Sequence, residues 1–286
     1  MGDNKYLPDT HIPTDASKAR VYVSFTGGKD SVLATHLMHH TMPHVEIAGL
    51  VTFGPMTETA HPLAFIAAQA EALGIRHVFC SISGPDWQGS YRTHLTRLAS
   101  EEGVTWLGTG DVEDMGHGFM CKAAEGSGLR IFAPLFLKDR RTLIAEFSRF
   151  ELKPIISFVS LVHVPFEVAE QLLGRVVDDD VIAVLDAHNN RVNAGLVPQG
   201  EWNGQPNKHN VPVDLIGENG EFHTMCIDGT AFKKRVCMIN LDSPNQDEIT
   251  GVECPKVVSE DGRYYHLKYD IPGRRVGFGV RDKNQG

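Results

Sequence analysis

A short glycine-containing turn between an apolar run and a helix-length segment constrains the fold of this chain more than any other feature. Residues 21–25 are mostly apolar and rich in valine and aromatic side chains, which predicts a buried strand. Residues 26–31, with the sequence Thr-Gly-Gly-Lys-Asp-Ser, follow directly and lead into a predicted helix at 32–38. A strand, a tight turn and a helix in this order predict part of a parallel α/β sheet.

The residues of this turn are of the types that bind phosphate at the start of a helix. Gly27 and Gly28 allow a positive φ and a close approach of the backbone to a ligand. Ser31 is expected to be the N-cap, where the unpaired N–H groups and the positive end of the helix dipole collect. Lys29 adds a mobile positive charge, and Asp30 can order the turn or hold Mg²⁺ beside the phosphates. The alternative is a glycine-rich turn that caps a helix and binds nothing.

Predicted strands and helices alternate through the first half of the chain. Strands are predicted at 45–53, 77–82 and 105–108, and helices at 61–73 and 91–99. This alternation predicts a Rossmann-like parallel sheet with helices on both faces. In such a sheet, ligands bind at the carboxyl ends of the strands.

Other segments are predicted to line the same crevice as the turn. The second predicted strand ends at Phe53, near a place where a nucleotide base can sit, and Gly110 and Asp111 follow the fourth strand. Asp30 and Asp111 can together organise magnesium. His61, at the start of a predicted helix, lies where a nucleotide base or a substrate can sit, and the favoured interpretation is a surface role.

The pattern in the second half of the chain is less regular. Amphipathic helices are predicted at 140–150 and 166–173, with an apolar strand at 155–161 between them. Residues 189–210 are rich in Gly, Asn, Pro and Gln, which predicts a long loop, and 211–216 predict a strand.

Composition and charge exclude several classes of function. Lys and Arg total 27 against 36 Asp and Glu, and the net charge of −9 argues against a broad nucleic-acid surface. The five cysteines are widely spaced with no Cys-x-x-Cys pair, which argues against an iron–sulfur or structural zinc site and favours reduced thiols. No signal peptide is predicted, and the longest apolar stretch, 154–166, is too short to span a bilayer. We therefore expect a cytoplasmic protein with no membrane contact.

A second polar cluster lies at 217–224, with the sequence Gly-Glu-Asn-Gly-Glu-Phe-His-Thr. One interpretation is a hairpin turn with exposed charges. The other gives Glu218 and Glu221 contacts with magnesium, a ribose or an amine, and makes His223 a proton carrier. Spacing alone leaves both interpretations open.

Together, the two motifs resemble a known family. The turn 26–31 resembles the PP-loop (Ser-Gly-Gly-x-Asp-Ser) of ATP pyrophosphatases, with Thr26 in place of the usual first serine. With the cluster at 217–224 included, the chain resembles the diphthine-ammonia ligase family of PP-loop ATPases over residues 20–240. We therefore expect a flexible N-terminal arm at 1–19, a PP-loop (HUP-type) nucleotide-binding domain at 20–135, and a smaller α+β substrate domain carrying the second cluster at 136–286.

The resemblance implies a chemistry as well as a fold. Members of the family use ATP and Mg²⁺ to adenylate a carboxylate and pass it to ammonia, forming an amide, AMP and pyrophosphate. The implied partners of this chain are a small or protein-borne carboxylate and ammonia or another amine. The implied catalytic residues are Lys29, Asp30, Glu218, Glu221 and His223. Nucleotide binding is implied for Thr26, Gly27, Gly28, Lys29, Asp30, Ser31, Phe53, Gly110 and Asp111, with the metal held by Asp30 and Asp111.

One segment departs from the family pattern. After Gly-Asp the family continues into a helix bearing Arg and Glu that faces the substrate, whereas residues 113–122 lack this charged pair. The resemblance therefore leaves open which acid is used. The alternatives are a sulfur-transfer or RNA-modifying enzyme, a nucleotide sensor without turnover, and a structural paralogue that no longer uses ATP. The sequence also leaves the oligomeric state open, a homodimer included.

Overall fold

The computed structural model describes residues 6–14, 19–55, 61–114, 116–202 and 204–283. The contacts between Cα atoms divide the chain into two units. The first unit comprises Met1–Phe150 and Gly229–Lys234, and the second comprises Glu151–Asp228 and Arg235–Gly286. No helix in the described ranges is long and apolar enough to cross a membrane.

Strands and helices alternate along the first unit. They are β1 (Ala19–Ser24), α1 (Lys29–Thr41), β2 (Val45–Gly54), α2 (Leu63–Leu73), β3 (His77–Ser81), α3 (Trp87–Glu102), β4 (Trp106–Gly108), α4 (Phe119–Ala124), β5 (Arg130–Phe132) and α5 (Arg140–Arg149). The five strands form one parallel sheet in the order β3-β2-β1-β4-β5. The predicted α/β, Rossmann-like fold class is confirmed.

The order of the strands places a topological switch point at the carboxyl end of β1. From β1 the chain moves to β2 and β3 on one side, and then crosses to β4 and β5 on the other. β1 has a neighbour on each side, and its Val21 and Val23 are fully buried. The crevice at such a point is the usual ligand site of an open α/β sheet, and the turn 26–31 begins there.

Helix α1 begins earlier than the sequence suggests. Gly28 is its N-cap and Lys29 its first residue, so the prediction that Ser31 caps the helix is wrong. The Ser31 hydroxyl instead donates to the carbonyl oxygen of Gly28 at 3.1 Å. Because glycine offers no side-chain cap, the first N–H groups of α1 point out of the helix start with no partner from the cap residue.

Part of the predicted flexible arm pairs with the sheet. Asp9 forms a parallel bridge with Phe132 at the end of β5. The backbone N–H of Asp9 donates to the carbonyl oxygen of Ile131 at 2.9 Å. The chain around Asp9 therefore lies along the edge strand, which differs from the expectation of a loose arm. Residues 1–5 and 15–18 of the predicted arm lie outside the described residues.

The first unit extends past the predicted domain boundary at residue 135. Helix α5, which the sequence pattern placed in the second domain, belongs to the first unit together with Phe150. A short segment from much later in the chain, Gly229–Lys234, also belongs to this unit, and we call it the strap. The roles of the two units as nucleotide-binding and substrate domains stay predictions.

The strap is bound to α1 through a buried histidine. The N–H of Ala231 donates to Nε2 of His36 at 3.1 Å. Nδ1 of the same ring lies 2.8 Å from the carbonyl oxygen of Val32. Since Nε2 must accept from Ala231, the hydrogen bonding assigns the proton to Nδ1, and His36 is neutral.

Further hydrogen bonds hold the rest of the strap. Oγ1 of Thr230 lies 3.0 Å from Nε2 of His40, which follows His36 by one helical turn. The N–H of Lys233 donates to the carbonyl oxygen of Ala72, near the end of α2, at 2.7 Å. Although the strap is distant in sequence, it therefore forms hydrogen bonds with groups of α1 and α2.

Acidification is expected to weaken the contact between the strap and α1. Burial lowers the pKa of His40 below its ordinary value of 6.5, and the charges of His39 and Arg149 act in the same direction. The folded state thus holds this proton less tightly than the unfolded state. The stabilising contribution of neutral His40 is therefore complete above pH 6.5 and is lost as the pH falls below that value.

Urea unfolding at about pH 7.5 and about pH 5.5 measures this effect. We expect a lower free energy of unfolding at the acidic pH, and a smaller difference between the two pH values in a His40→Gln variant. An identical difference in the wild type and the variant would contradict the prediction.

The second unit is built from antiparallel strands and two helices. Its elements are β6 (Pro154–Ser160), α6 (Phe166–Leu172), α7 (Asp179–Asn193), β7 (Glu201–Trp202), β8 (Gln205–Pro206), β9 (Phe222–Cys226), β10 (Arg235–Asn240), β11 (Glu248–Ile249), β12 (Lys256–Val258), β13 (Tyr264–Leu267) and β14 (Val276–Arg281). They form two sheets, β12-β13-β6-β9 and β11-β10-β14, and the hairpin β7-β8. The predicted combination of helices with a second, non-parallel sheet region is confirmed.

Two predictions for the middle of this unit are wrong. Helix α7 continues to Asn193, where a loop was predicted, and 211–216 form a loop, where a strand was predicted. One side chain explains why the second segment is not a strand. Asn189 donates from Nδ2 to the carbonyl oxygen of Val213 at 2.9 Å and accepts at Oδ1 from the N–H of Val213 at 2.7 Å. The helix therefore satisfies both backbone groups of Val213 that a neighbouring strand would otherwise pair.

Candidate functional site

The turn 26–31 requires glycine for both its conformation and its packing. Gly27 has a φ of +80°, in the left-handed region that side chains disfavour. A Cβ atom there would lie 2.4 Å from Oε1 of Gln69 and 3.1 Å from the ring of Phe65. Helix α2 therefore packs directly against the backbone of the turn, and only glycine fits between them.

Two buried polar side chains hold the turn in place. Nδ1 of His61 lies 2.8 Å from the carbonyl oxygen of Thr26, and Nε2 of Gln69 donates to that of Gly27 at 2.9 Å. His61 is 4% exposed and Gln69 is fully buried, so the expectation of a surface role for His61 is wrong. Sequence reasoning also missed the role of Gln69. The available signal was a polar residue in the middle of an alanine-rich helix, since buried polar side chains require partners.

Lys29 and Asp30 form an ion pair inside the turn. Nζ of Lys29 lies 2.7 Å from Oδ2 of Asp30, and Lys29 is only 4% exposed. The other carboxylate oxygen, Oδ1, is buried and has no hydrogen-bond partner among the described residues. A buried oxygen in this state costs about 1–3 kcal/mol of stability. The turn thus presents an oxygen that a cation or a donor would satisfy.

The loop after β4 lies against the same turn. A Cβ atom on Gly110 would lie 2.6 Å from the carbonyl carbon of Asp30 and 2.7 Å from the backbone nitrogen of Ser31. Asp111 follows and is solvent-exposed, but desolvation by surrounding protein raises the pKa of its carboxyl, and the charges of Asp30 and Asp114 act in the same direction. The negative charge of Asp30 therefore contributes to the raised pKa of the Asp111 carboxyl. A divalent cation relieves this kind of repulsion.

Adding one methyl group at Gly110 is expected to disturb the turn. Because the new Cβ would meet backbone atoms, Gly110→Ala should lower the free energy of unfolding by about 2 kcal/mol. Gly279→Ala is the matched control, because the atom nearest to its added Cβ is 3.6 Å away. The control should change the free energy of unfolding by about 0.5 kcal/mol or less. Urea unfolding measures both, and equal effects would contradict the prediction.

Phe53 belongs to a cluster of aromatic rings near the end of β2. It is half-buried, and its ring centroid lies 4.8 Å from that of Tyr91 on α3. Tyr91 meets the ring of Phe119 edge-on, with centroids 5.3 Å apart. All three rings pack against the core of the sheet. The structure thus gives Phe53 a packing role, and its role in nucleotide binding stays a prediction.

Glu221 organises the loop that contains the second cluster. It is 2% exposed, and its Oε1 accepts from the N–H of Asp214 at 2.9 Å and from Nδ2 of Asn219 at 3.2 Å. Its Oε2 accepts from the N–H of Asn219 at 2.9 Å. The carboxylate therefore takes three hydrogen bonds from its own loop, which is a positioning role.

The other two predicted residues of the second cluster are more accessible. Glu218 is half-buried, and His223 is an exposed residue of β9 whose ring centroid lies 5.0 Å from that of Phe158. The structure thus groups Glu218, Glu221 and His223 in the second unit. In the first unit it brings together the residues of the turn, Thr26, Gly27, Gly28, Lys29, Asp30 and Ser31, with Gly110 and Asp111.

Comparisons with known proteins add little to this geometry. No protein-family model matches the chain, and no curated protein matches it. Among solved structures, it is similar to the U34-tRNA thiolase NcsA from Methanococcus maripaludis with its [4Fe-4S] cluster, at 15% identity and a TM-score of 0.34. The match covers 49% of this chain and 58% of that protein. Neither the identity nor the TM-score supports a transfer of activity or cluster to this chain.

Proposed function

We propose that this chain is an ATP-dependent enzyme of the PP-loop type that adenylates a carboxylate and transfers it to ammonia or another amine. One observation carries most of this proposal: a glycine turn with an ion pair between buried Lys29 and half-buried Asp30 lies at the switch point of a parallel sheet. In a Walker A loop, Ser or Thr directly follows Lys, whereas here Asp30 stands between Lys29 and Ser31. The order of residues therefore favours the PP-loop.

The turn supplies donors of the kind that ATP phosphates require. Backbone N–H groups of the turn and of the start of α1 would bind phosphate oxygens, with the hydroxyl of Ser31 and the ammonium of Lys29 adding to them. Gly27 and Gly110 lack the side chains that would collide with Gln69 and with the backbone of the turn, so they allow the neighbouring segments to hold the turn in this conformation.

Magnesium fits the two carboxylates beside the turn. The buried Oδ1 of Asp30 has no hydrogen-bond partner among the described residues, and Asp111 is exposed next to the turn. No group of three or more His, Cys, Asp or Glu is arranged to hold a metal within the described ranges. The two carboxylates would therefore share the ion with phosphate oxygens. Bound there, Mg²⁺ would stabilise the charge that develops on pyrophosphate.

The proposed reaction has two displacement steps. An oxygen of the acid attacks the α-phosphorus of ATP, and pyrophosphate leaves with the electrons of the broken P–O bond. The nitrogen of ammonia or an amine then attacks the acyl carbon and loses a proton, and AMP leaves. Lys29 would move from Asp30 to the pyrophosphate and offset its charge, so that the chain acts through positioning and charge stabilisation.

We assign the predicted site residues of the second unit to contacts with the acid and the amine. Glu218 is half-buried and His223 is exposed, so both can reach a ligand from solvent. His223 would accept the proton that the attacking amine loses. Glu221 would act indirectly, because its carboxylate oxygens already accept hydrogen bonds from the loop that carries Glu218.

Release of AMP and pyrophosphate from magnesium ATP tests this function. The assay contains ammonium and a panel of acids, from small carboxylic acids to elongation factor carrying diphthine. Release of both products in equal amounts that depends on one acid supports the proposal. ATP binding without release would favour a nucleotide sensor. Release that requires tRNA and a sulfur donor, and no acid, would favour sulfur transfer.

A further inference from the structure

A cavity of about 380 Å³ lies within the second unit, between the turn that follows β6 and the loop that precedes β9. The residues that line it include His163, Lys208, Pro212, Val213 and Glu221. We call it the His163 cavity. Neither His163 nor Lys208 takes part in the proposed ATP-dependent reaction.

His163 brings an unsatisfied polar atom to this cavity. Its Nδ1 lies 3.0 Å from the hydroxyl oxygen of Ser160. Its Nε2 is buried and has no hydrogen-bond partner in the described part of the chain. When the hydroxyl of Ser160 donates to Nδ1, the ring carries its proton on Nε2. The ring then offers a buried N–H donor that a ligand oxygen would satisfy.

The charges around this ring favour an anion. Burial lowers the pKa of His163, and the positive charges of Lys208 and Arg263 act in the same direction, against the opposing charge of Glu221. The neutral form of the imidazole is therefore favoured, and two cationic side chains act on it against one carboxylate.

The carboxylate of Glu221 already accepts hydrogen bonds from its own loop. Its two carboxylate oxygens accept the three hydrogen bonds of the loop at 214–221. It therefore repels an anion in the cavity less than a free carboxylate would. Lys208 is exposed, so its ammonium can turn toward a ligand at small cost.

We propose that the His163 cavity binds the carboxylate of a small aliphatic acid. The Nε2–H of His163 donates to one carboxylate oxygen, and the ammonium of Lys208 pairs with the carboxylate. The apolar part of the acid lies against Pro212 and against Val213, which is 4% exposed. Binding of the acid requires no nucleotide. A test of this site therefore gives a result that does not depend on whether the chain uses ATP.

Calorimetric titration of the full chain, without ATP or magnesium, tests the site. The ligands are acetate, butyrate, isovalerate and succinate, together with butyramide as an uncharged analogue and inorganic phosphate. We expect an aliphatic carboxylate to bind with one-to-one stoichiometry and butyramide to bind at least about tenfold more weakly. The imidazole nitrogen chemical shifts of His163 should change during the same titration.

Two variants and a control locate the binding. His163→Ala and Lys208→Met should each weaken carboxylate binding by about tenfold. We expect Lys208→Met to leave folding unchanged because Lys208 is exposed, and Lys268→Met is its matched control at another exposed lysine. The proposal is overturned if no carboxylate binds, if phosphate binds more tightly than every carboxylate, or if Lys208→Met and Lys268→Met have equal effects.

Discussion

Replacing Asp30 with asparagine is expected to reduce the release of AMP from ATP by about a thousandfold. The substitution keeps the size of the side chain and removes its charge. It therefore removes the negative charge that pairs with Lys29 at 2.7 Å, and it leaves only one neutral amide oxygen where the carboxylate offered two oxygens to Lys29 and magnesium. The value of kcat/KM for AMP formation, measured with the acid identified in the product assay, gives the size of the loss.

Asp139→Asn is the matched control for this variant. Asp139 is the N-cap of α5, where its side chain accepts from the N–H of Thr142 at 2.9 Å. Asparagine caps helices about as well as aspartate, so this variant should keep full activity. The assignment of Asp30 fails if its variant retains activity within about tenfold of the wild type, or if the control loses as much.

Replacing Glu221 with alanine is expected to lower the free energy of unfolding by about 3 kcal/mol. The variant leaves the N–H groups of Asp214 and Asn219 without their acceptor, and the loop at 214–221 loses the group that orders it. Urea unfolding measures the loss of stability. Hydrogen exchange at the amides of Asp214 and Asn219 measures the loss of order in the loop.

Glu218→Ala separates this structural effect from a catalytic one. Glu218 lies in the same loop but is only half-buried, so its replacement should lower the free energy of unfolding by about 1 kcal/mol or less. If Glu218 contacts the substrate as proposed, its variant loses activity while remaining folded. Equal destabilisation by the two substitutions would contradict the role given to Glu221.

Local sequence patterns predicted the parts of the fold that depend on neighbouring residues. The alternation of apolar runs and helices predicted the parallel sheet, and the turn 26–31 was placed between a strand and a helix, as the structure has it. These features depend on periodicity and on glycine, which are visible within a short window of sequence.

The contacts that hold the turn 26–31 in place could not be predicted from local sequence patterns. His61 and Gln69 reach Thr26 and Gly27 across 35 and 42 residues of sequence, and a hydrophobicity pattern carries no information about such contacts. The error at 211–216 has the same origin. That segment has the composition of a strand, but Asn189, from 24 residues earlier, pairs with the backbone of Val213.

The strap has a consequence for the order in which the protein can fold during synthesis. The first unit takes its last segment, Gly229–Lys234, from beyond most of the second unit. A ribosome that has translated only as far as Phe150 has therefore not yet made the residues that pair with His36 and Ala72. The first unit can complete its hydrogen bonding only after residue 234 has been polymerised, so a gene cut after residue 150 would encode an unfinished first unit.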